Sequence, residues 1–187
     1  MAFDLTGKML ISTPAMADPR FERSVIYLCA HSAEGAFGLV VNRPVPNLRV
    51  REVLDQLSID DAGLDEDRPV LLGGPVEPAR GFVLHRNDLT EPGASQPLPA
   101  GLALSASTEV LTAIGQGKGP SAWMLALGYA GWGEGQLEGE IAENAWLTCD
   151  AQEALIFTDA PGEAQWHAAL RSIGVDSRTL SATAGRA

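Results

Sequence analysis

The sequence is short of cations, of cysteine and of long apolar runs, and each shortage removes a class of function. Lysine and arginine total 13 against 24 aspartates and glutamates, a formal net charge of −11. Bulk charge therefore gives no hold on a polyphosphate backbone, and direct binding to nucleic acid is not expected. The stretch from Gly119 to Leu170 sharpens this, because it contains eight acids and no Lys or Arg. Two cysteines, Cys29 and Cys149, are too few for a disulfide scaffold and fit a reducing compartment. The apolar run near the start, Met9 to Ile11, follows an acidic Asp4 and is too short for a signal-peptide core or a membrane span. A soluble, cytoplasmic protein is the expectation. G-x-S-x-G, the P-loop and H-E-x-x-H are also missing, so nucleophilic and metal hydrolysis have no local motif behind them.

What is present suffices for one core: 187 residues, 45% of them hydrophobic, read as a single domain over 1–187 with 176–187 as a loosely ordered tail. Ser24 to His31 and Ala36 to Asn42 are β-branched, apolar runs at hairpin spacing, with Gly35 available for the turn. Alternation places Ile26, Leu28 and Ala30 on one face of the first run and Val25, Tyr27, Cys29 and His31 on the other. Val50, Val53, Leu54 and Leu57 have helical spacing behind a candidate cap at Asn47. The acid-rich stretch Asp60 to Asp67 reads as a solvated loop, followed by strands at Val70 to Leu72 and Gly81 to His85 around a Gly73-Gly74-Pro75 turn. Asn87 to Pro99 reads as a loop and Leu102 to Leu104 as a strand. A helix capped by Ser107 and stopped by Gly115 follows, and then a buried strand over Ser121 to Tyr129. Gly131 to Asn144 reads as a glycine-interrupted helix, Trp146 to Thr148 as a strand, and Pro161 opens a last helix that ends at Gly174. Strands in adjacent pairs with helices between the groups predict an α+β fold with a mixed, mostly antiparallel sheet.

Candidate chemistry is sparse. Gly117, Gly119 and Ala122 match a dinucleotide fingerprint in the reverse structural context and are set aside. Cys29 and His31, read as sharing a strand face, lack the converging partners a zinc site needs; no metal and no cofactor is expected. Arg43, Arg49 and Arg51 are interspersed with Glu52 and Asp55 and read as a mixed helix face. Gln136 and Glu140 lie on one side of the glycine-containing helix with Trp132 a turn before them. They are read either as a recognition surface or as a solvated face beside a buried indole.

Several ordered segments carry a resemblance: LISTPAM with DPRFERSVIYLC, GAFGLVVNRP, LLGGPV with RGFVLH, LGYAGWGEGQLEGEIAENAWL and WHAALRSIGVD. Together they closely resemble the bacterial AlgH/YqgE family over nearly the whole chain. Cys149 and the acidic loop lie outside its pattern. The resemblance implies one α+β domain in which a bifurcated sheet rolls into a pseudo-barrel, a bacterial cytosolic setting, and a label as transcriptional regulators with no reaction or cofactor attached. The expected function is a non-catalytic regulatory or protein-interaction module with an unidentified protein partner. Its surface is sought at Trp132, Gln136 and Glu140, with Asn42, Gly73 and Gly74 as further candidates. The alternatives are a small anionic ligand held by glycine-turn N–H groups, with Glu140 or His85 for acid–base chemistry, and direct DNA binding, which the charge disfavours.

Overall fold

Apolar and β-branched runs form the strands, in chain order β1 (Lys8–Ser12), β2 (Val25–Ser32), β3 (Gly35–Val40), β4 (Pro44–Arg49), β5 (Pro69–Leu72), β6 (Val76–Arg86), β7 (Gln96–Leu98), β8 (Leu102–Ser105), β9 (Trp123–Gly133) and β10 (Trp146–Asp150). The helices are α1 (Val50–Gln56), α2 (Thr108–Gly115), α3 (Gln136–Ala142), α4 (Glu153–Ile156) and α5 (Glu163–Ser172). The computed structural model describes residues 3–90 and 93–180. The sheet runs β10-β1-β2-β3-β9-β6-β8-β7, and β5 branches from β9 carrying β4 at its outer side. The β5–β9 pairing is parallel and the others are antiparallel. This is the branched, curled α+β sheet that the sequence and its resemblance lead one to expect, forming a half-barrel in a single domain. No helix among the described residues is long and apolar enough to cross a membrane.

β2 is buried on both faces, as its pattern predicts. Ile26 and Leu28 pack with Leu137, Trp132 and Trp146 beneath α3. Val25, Tyr27 and Cys29 pack on the opposite side with Met9, Trp166 and Leu170 beneath α5. A third cluster joins Val50 and Leu54 of α1 to Val110 and Ile114 of α2 across Val83 and Leu125. Each fully buried side chain of this size stabilises the fold by roughly 1.5–3 kcal/mol.

The structure departs from the sequence reading at several points. The β2–β3 register shifts between Leu28 and Ala30, so Cys29 is the extra residue of a bulge and the alternation inverts after it. His31 consequently emerges on the α3 side, bonded to Leu5 and Glu138, and does not share a face with Cys29. Asn47 does not cap α1; it lies in β4 with φ 59°, and Asp67, from the acidic loop, accepts the Arg51 N–H at 3.0 Å instead. Arg49 and Arg51 pair with Asp67 and Asp61, which makes that loop a partner of the helix. The expected loop over Asn87 to Pro99 contains β7, a short edge strand that tolerates Pro97 because its outer side needs no N–H donor. β9 continues to Gly133, and α3 starts only at Gln136 after Gly135 takes a left-handed turn (φ 70°). Trp132 is therefore a strand residue. Pro161 precedes α5, whose cap is Gly162, with the Gln165 side chain accepting its N–H at 2.9 Å. A 3-10 turn over Ser177–Thr179, capped by Asp176, places Leu180 against the core, while residues 181–187 of the tail lie outside the described residues.

Candidate functional site

The residues singled out from the sequence fall in three places. Trp132, Gln136 and Glu140 come together: one Glu140 oxygen accepts the indole N–H of Trp132 at 3.0 Å and of Trp146 at 2.7 Å. Its other oxygen accepts from the Gln136 amide at 3.2 Å, whose own oxygen accepts the Gly133 N–H at 3.1 Å. Both indoles are buried and pack against Phe21. These polar groups face one another across the start of α3.

Gly73 and Gly74 lie where the chain crosses β9. β5 and β6 do not pair with each other; they flank β9 on opposite edges, so the link between them must pass over it. A Cβ at Gly73 would overlap the Gly128 carbonyl and one at Gly74 the Tyr129 carbonyl. The Gly73 N–H donates to the Leu127 carbonyl at 2.8 Å.

Asn42 occupies the third place. Its carbonyl oxygen accepts the Val25 N–H at 2.9 Å, and its amide donates to the carbonyls of Arg23 at 2.9 Å and Gly162 at 3.3 Å. It thus ties the end of the 13–23 segment to the turn before α5. Other groups hold the same segment. The Trp166 indole donates to the Ser12 carbonyl at 2.8 Å, the Ser24 N–H to the Ser12 hydroxyl at 2.8 Å, and the Arg43 guanidinium to the carbonyls of Arg20 and Glu22. Arg23 is fixed in the left-handed region, φ 50°, a conformation that persists in a non-glycine residue only when its surroundings over-determine it.

Between this segment and α5 lies a cleft of about 560 Å³. Pro14, Met16, Pro19, Trp166 and Leu180 give it apolar walls, and Arg23, His167 and Arg178 line it with polar heads. The Arg23 guanidinium lies over the Trp166 ring, 5.7 Å from its centroid, and pairs with Glu163. The His167 Nδ1 meets the Ser177 hydroxyl at 2.8 Å. Arg178 is 88% exposed at its side chain and pairs with Asp176 at 2.7 Å, and its hydrogen bonds hold the Asp176 carboxyl down at about 2. The lining carries two guanidiniums and an imidazole against one carboxylate, Glu22, on a chain of net charge −11. Sequence reasoning passed over residues 13–23 because a loop has no period; Asn42, a polar residue closing an apolar strand, was the available signal.

His85 and Glu140 do not share a site. In the register His85 lies opposite Trp123, at the far end of β9 from Trp132, on the order of 30 Å away along a strand. His85 is fully buried. Its Nδ1 lies 2.8 Å from the Arg86 carbonyl and so carries the hydrogen, which leaves Nε2 as acceptor for Ser105 at 3.1 Å and Ser95 at 3.3 Å. The two hydroxyls are 2.6 Å apart.

Comparison with known proteins gives a consistent result. A family model described as AlgH-like matches residues 9–178. The UPF0301 protein of Paracoccus denitrificans is 50% identical over 98% of this chain and 97% of its own. One from Cereibacter sphaeroides is 49% identical over 98% and 100%. The solution structure of the AlgH protein from Pseudomonas aeruginosa superposes with a TM-score of 0.78 at 44% identity, covering 98% of this chain and 96% of that one. A crystal structure of a Corynebacterium diphtheriae protein shares the fold at 22% identity and a TM-score of 0.69, covering 89% and 86%.

Proposed function

Because the chain belongs to the AlgH-like family, whose family description names no reaction, we propose that it is a regulatory module that acts by docking a segment of a partner protein into the cleft between residues 13–23 and α5. The observation that carries this reading is the number of independent hydrogen bonds, from Asn42, Arg43, Ser12 and Trp166, that hold an exposed loop in a strained shape beside an open, apolar-walled cleft. The segment that fits has an apolar side chain for the Met16 and Trp166 walls and a carboxylate for Arg178. The ion pairs now made there are exposed and screened by solvent, so they exchange readily for an external carboxylate. Regulation then runs through a protein contact, in keeping with a surface charge that repels DNA.

A photo-crosslinking residue at Ala17, on the cleft wall, tests this against a control at Glu52, on the exposed side of α1. The expected result in the native cell is a discrete cross-linked protein at position 17, absent at 52 and lost when Arg178→Glu reverses the charge. The same products at both positions, or a cross-link indifferent to Arg178→Glu, would sink the proposal.

A further inference from the structure

His85, Ser105 and Ser95 form a hydrogen-bonded chain that plays no part in the docking cleft. The ring is oriented from behind by the Arg86 carbonyl, and its Nε2 lone pair faces both hydroxyls. Nε2 can accept one hydroxyl hydrogen along its lone pair, so one serine donates to the ring and the other to that serine. A nucleophile within reach of a base that a third group orients is the arrangement that activates a serine. Ser105 is buried, whereas Ser95 is partly exposed, so Ser95 is the hydroxyl that an incoming molecule reaches.

An apolar groove adjoins the cluster through Ser105, while Ser95 and His85 lie outside its lining. Ser105, Ala106, Ser107 and Thr108 form one wall of this groove of about 380 Å³, and its other walls include Val53, Leu57, Leu111 and Leu125. Ser105 ends β8 and α2 begins at Thr108, so the cluster adjoins the helix N-terminus. Ser107 stands at the cap position of α2 without making a cap bond, and its hydroxyl is buried with no partner. The first-turn N–H groups of α2 thus lack the side-chain oxygen that usually accepts from them and attract developing negative charge, against the opposing Glu109 carboxylate of the same turn.

We propose that Ser95 is a nucleophile for short-chain carboxylic esters, with His85 as general base and Ser105 as the hydroxyl that relays the proton. In the first step the Ser95 oxygen bonds to the ester carbonyl carbon while its proton passes by Ser105 to His85 Nε2. The tetrahedral adduct collapses, the bond to the alkoxide breaks, and the alkoxide leaves as alcohol with the proton from His85. Water then adds to the acyl-Ser95 carbonyl, giving its proton to His85. The second collapse frees the carboxylic acid, and the proton returns to the Ser95 oxygen. Ester and water become acid and alcohol, with no other reactant. The acyl chain extends past Ser105 toward the groove, and the carbonyl oxygen faces α2.

The intact protein treated with a fluorophosphonate probe is expected to carry one adduct per chain, at Ser95 by peptide mass spectrometry, and to hydrolyse 4-nitrophenyl butyrate. General-base assistance contributes about 10²–10⁴-fold, so Ser95→Ala and His85→Gln each lower the hydrolysis rate on the order of a hundredfold. Ser105→Ala keeps the buried ring in place and is expected to slow labelling of Ser95, which decides the relay should His85→Gln fail to fold. Absence of a Ser95 adduct, an adduct at another residue, or hydrolysis unchanged in Ser95→Ala would overturn the proposal.

Discussion

The indole N–H of Trp146 points at the Glu140 carboxylate, 2.7 Å away, and the same oxygen holds Trp132. One carboxylate on α3 therefore fixes two large rings that belong to β10 and β9. Glu140→Ala leaves both indole donors without their acceptor and is expected to cost about 3 kcal/mol, since hydrogen bonds to charged groups contribute about 1.5–3 kcal/mol each. In a chain of this length that lowers the thermal midpoint by roughly 6–12 °C. Glu140→Gln keeps an acceptor and is expected to cost about half as much. A loss of about 0.5 kcal/mol or less in chemical denaturation, the range of ordinary surface changes, would make Glu140 a solvated face residue instead.

Two glycines, one in the link that crosses β9 and one at the end of β9, separate close approach from mere tolerance. A Cβ at Gly74 would overlap the Tyr129 carbonyl, whereas one at Gly133 meets nothing within 4 Å. Gly74→Ala is expected to leave little folded protein at 37 °C, and Gly133→Ala to melt within a few degrees of the parent. Circular dichroism melts of the two variants check this, and equal midpoints would refute it.

The cysteines are expected to remain reduced and unreactive. Burial pushes the Cys29 thiol up to about 12 and raises that of Cys149, so little thiolate exists near neutral pH. β1 lies between them, with Met9 opposite Cys149 on one side and Tyr27 on the other. Two strand spacings come to about 9–10 Å, beyond the roughly 7 Å that a disulfide spans. Native protein should resist a thiol reagent for hours and react at both positions in guanidinium. A Cys29–Cys149 disulfide in non-reduced peptide maps would contradict the register.

Beside the cleft between residues 13–23 and α5 the charge of Asp176 depends on Arg178. Its folded carboxyl titrates at about 2, below the ordinary 3.8. The Asp176–Arg178 contact therefore contributes fully above pH 3.8 and is lost as pH falls toward 2. Carboxyl carbon NMR should show a midpoint near 2 that returns toward 3.8 in Arg178→Ala, and an unchanged midpoint there would assign the shift to another group.

The strands with continuous apolar runs were readable, because a residue buried on both faces leaves an unmistakable composition. β2, β3, β5 and most of β9 follow from that. The bulge at Cys29 was not readable: nothing in Leu28-Cys29-Ala30 marks an inserted residue, and the inversion of His31 follows only once β3 is paired. β7 was hidden because an edge strand needs neither alternation nor β-branched residues. The start of α3 was misplaced because Gly131, Gly133 and Gly135 look alike in sequence, although the first two serve the β3–β9 pairing and the third the turn. Among the site residues, Glu140 and Gln136 were legible as neighbours from their i, i+4 spacing. The indoles above them come from two other strands, a relationship that only the fold supplies. The cleft depends on residues 13–23, 42, 162 and 166 meeting, and no local pattern encodes that meeting.

β9 changes partners along its length: β6 and β5 flank its first part, and β3 takes over one edge at Ala130–Gly133. The left-handed Gly128, φ 74°, lies just before the change. β1 likewise waits for β10 to complete its other edge. During synthesis, then, the first 122 residues can pair only as three separate groups, β1-β2-β3, β4-β5 and β6-β8-β7, and the half-barrel cannot close until β9 joins them. A ribosome stalled before Trp123 would present the open edges of these groups to chaperones, and release of the strand from Trp123 to Gly133 is the event that joins them, leaving only the β1 edge for β10.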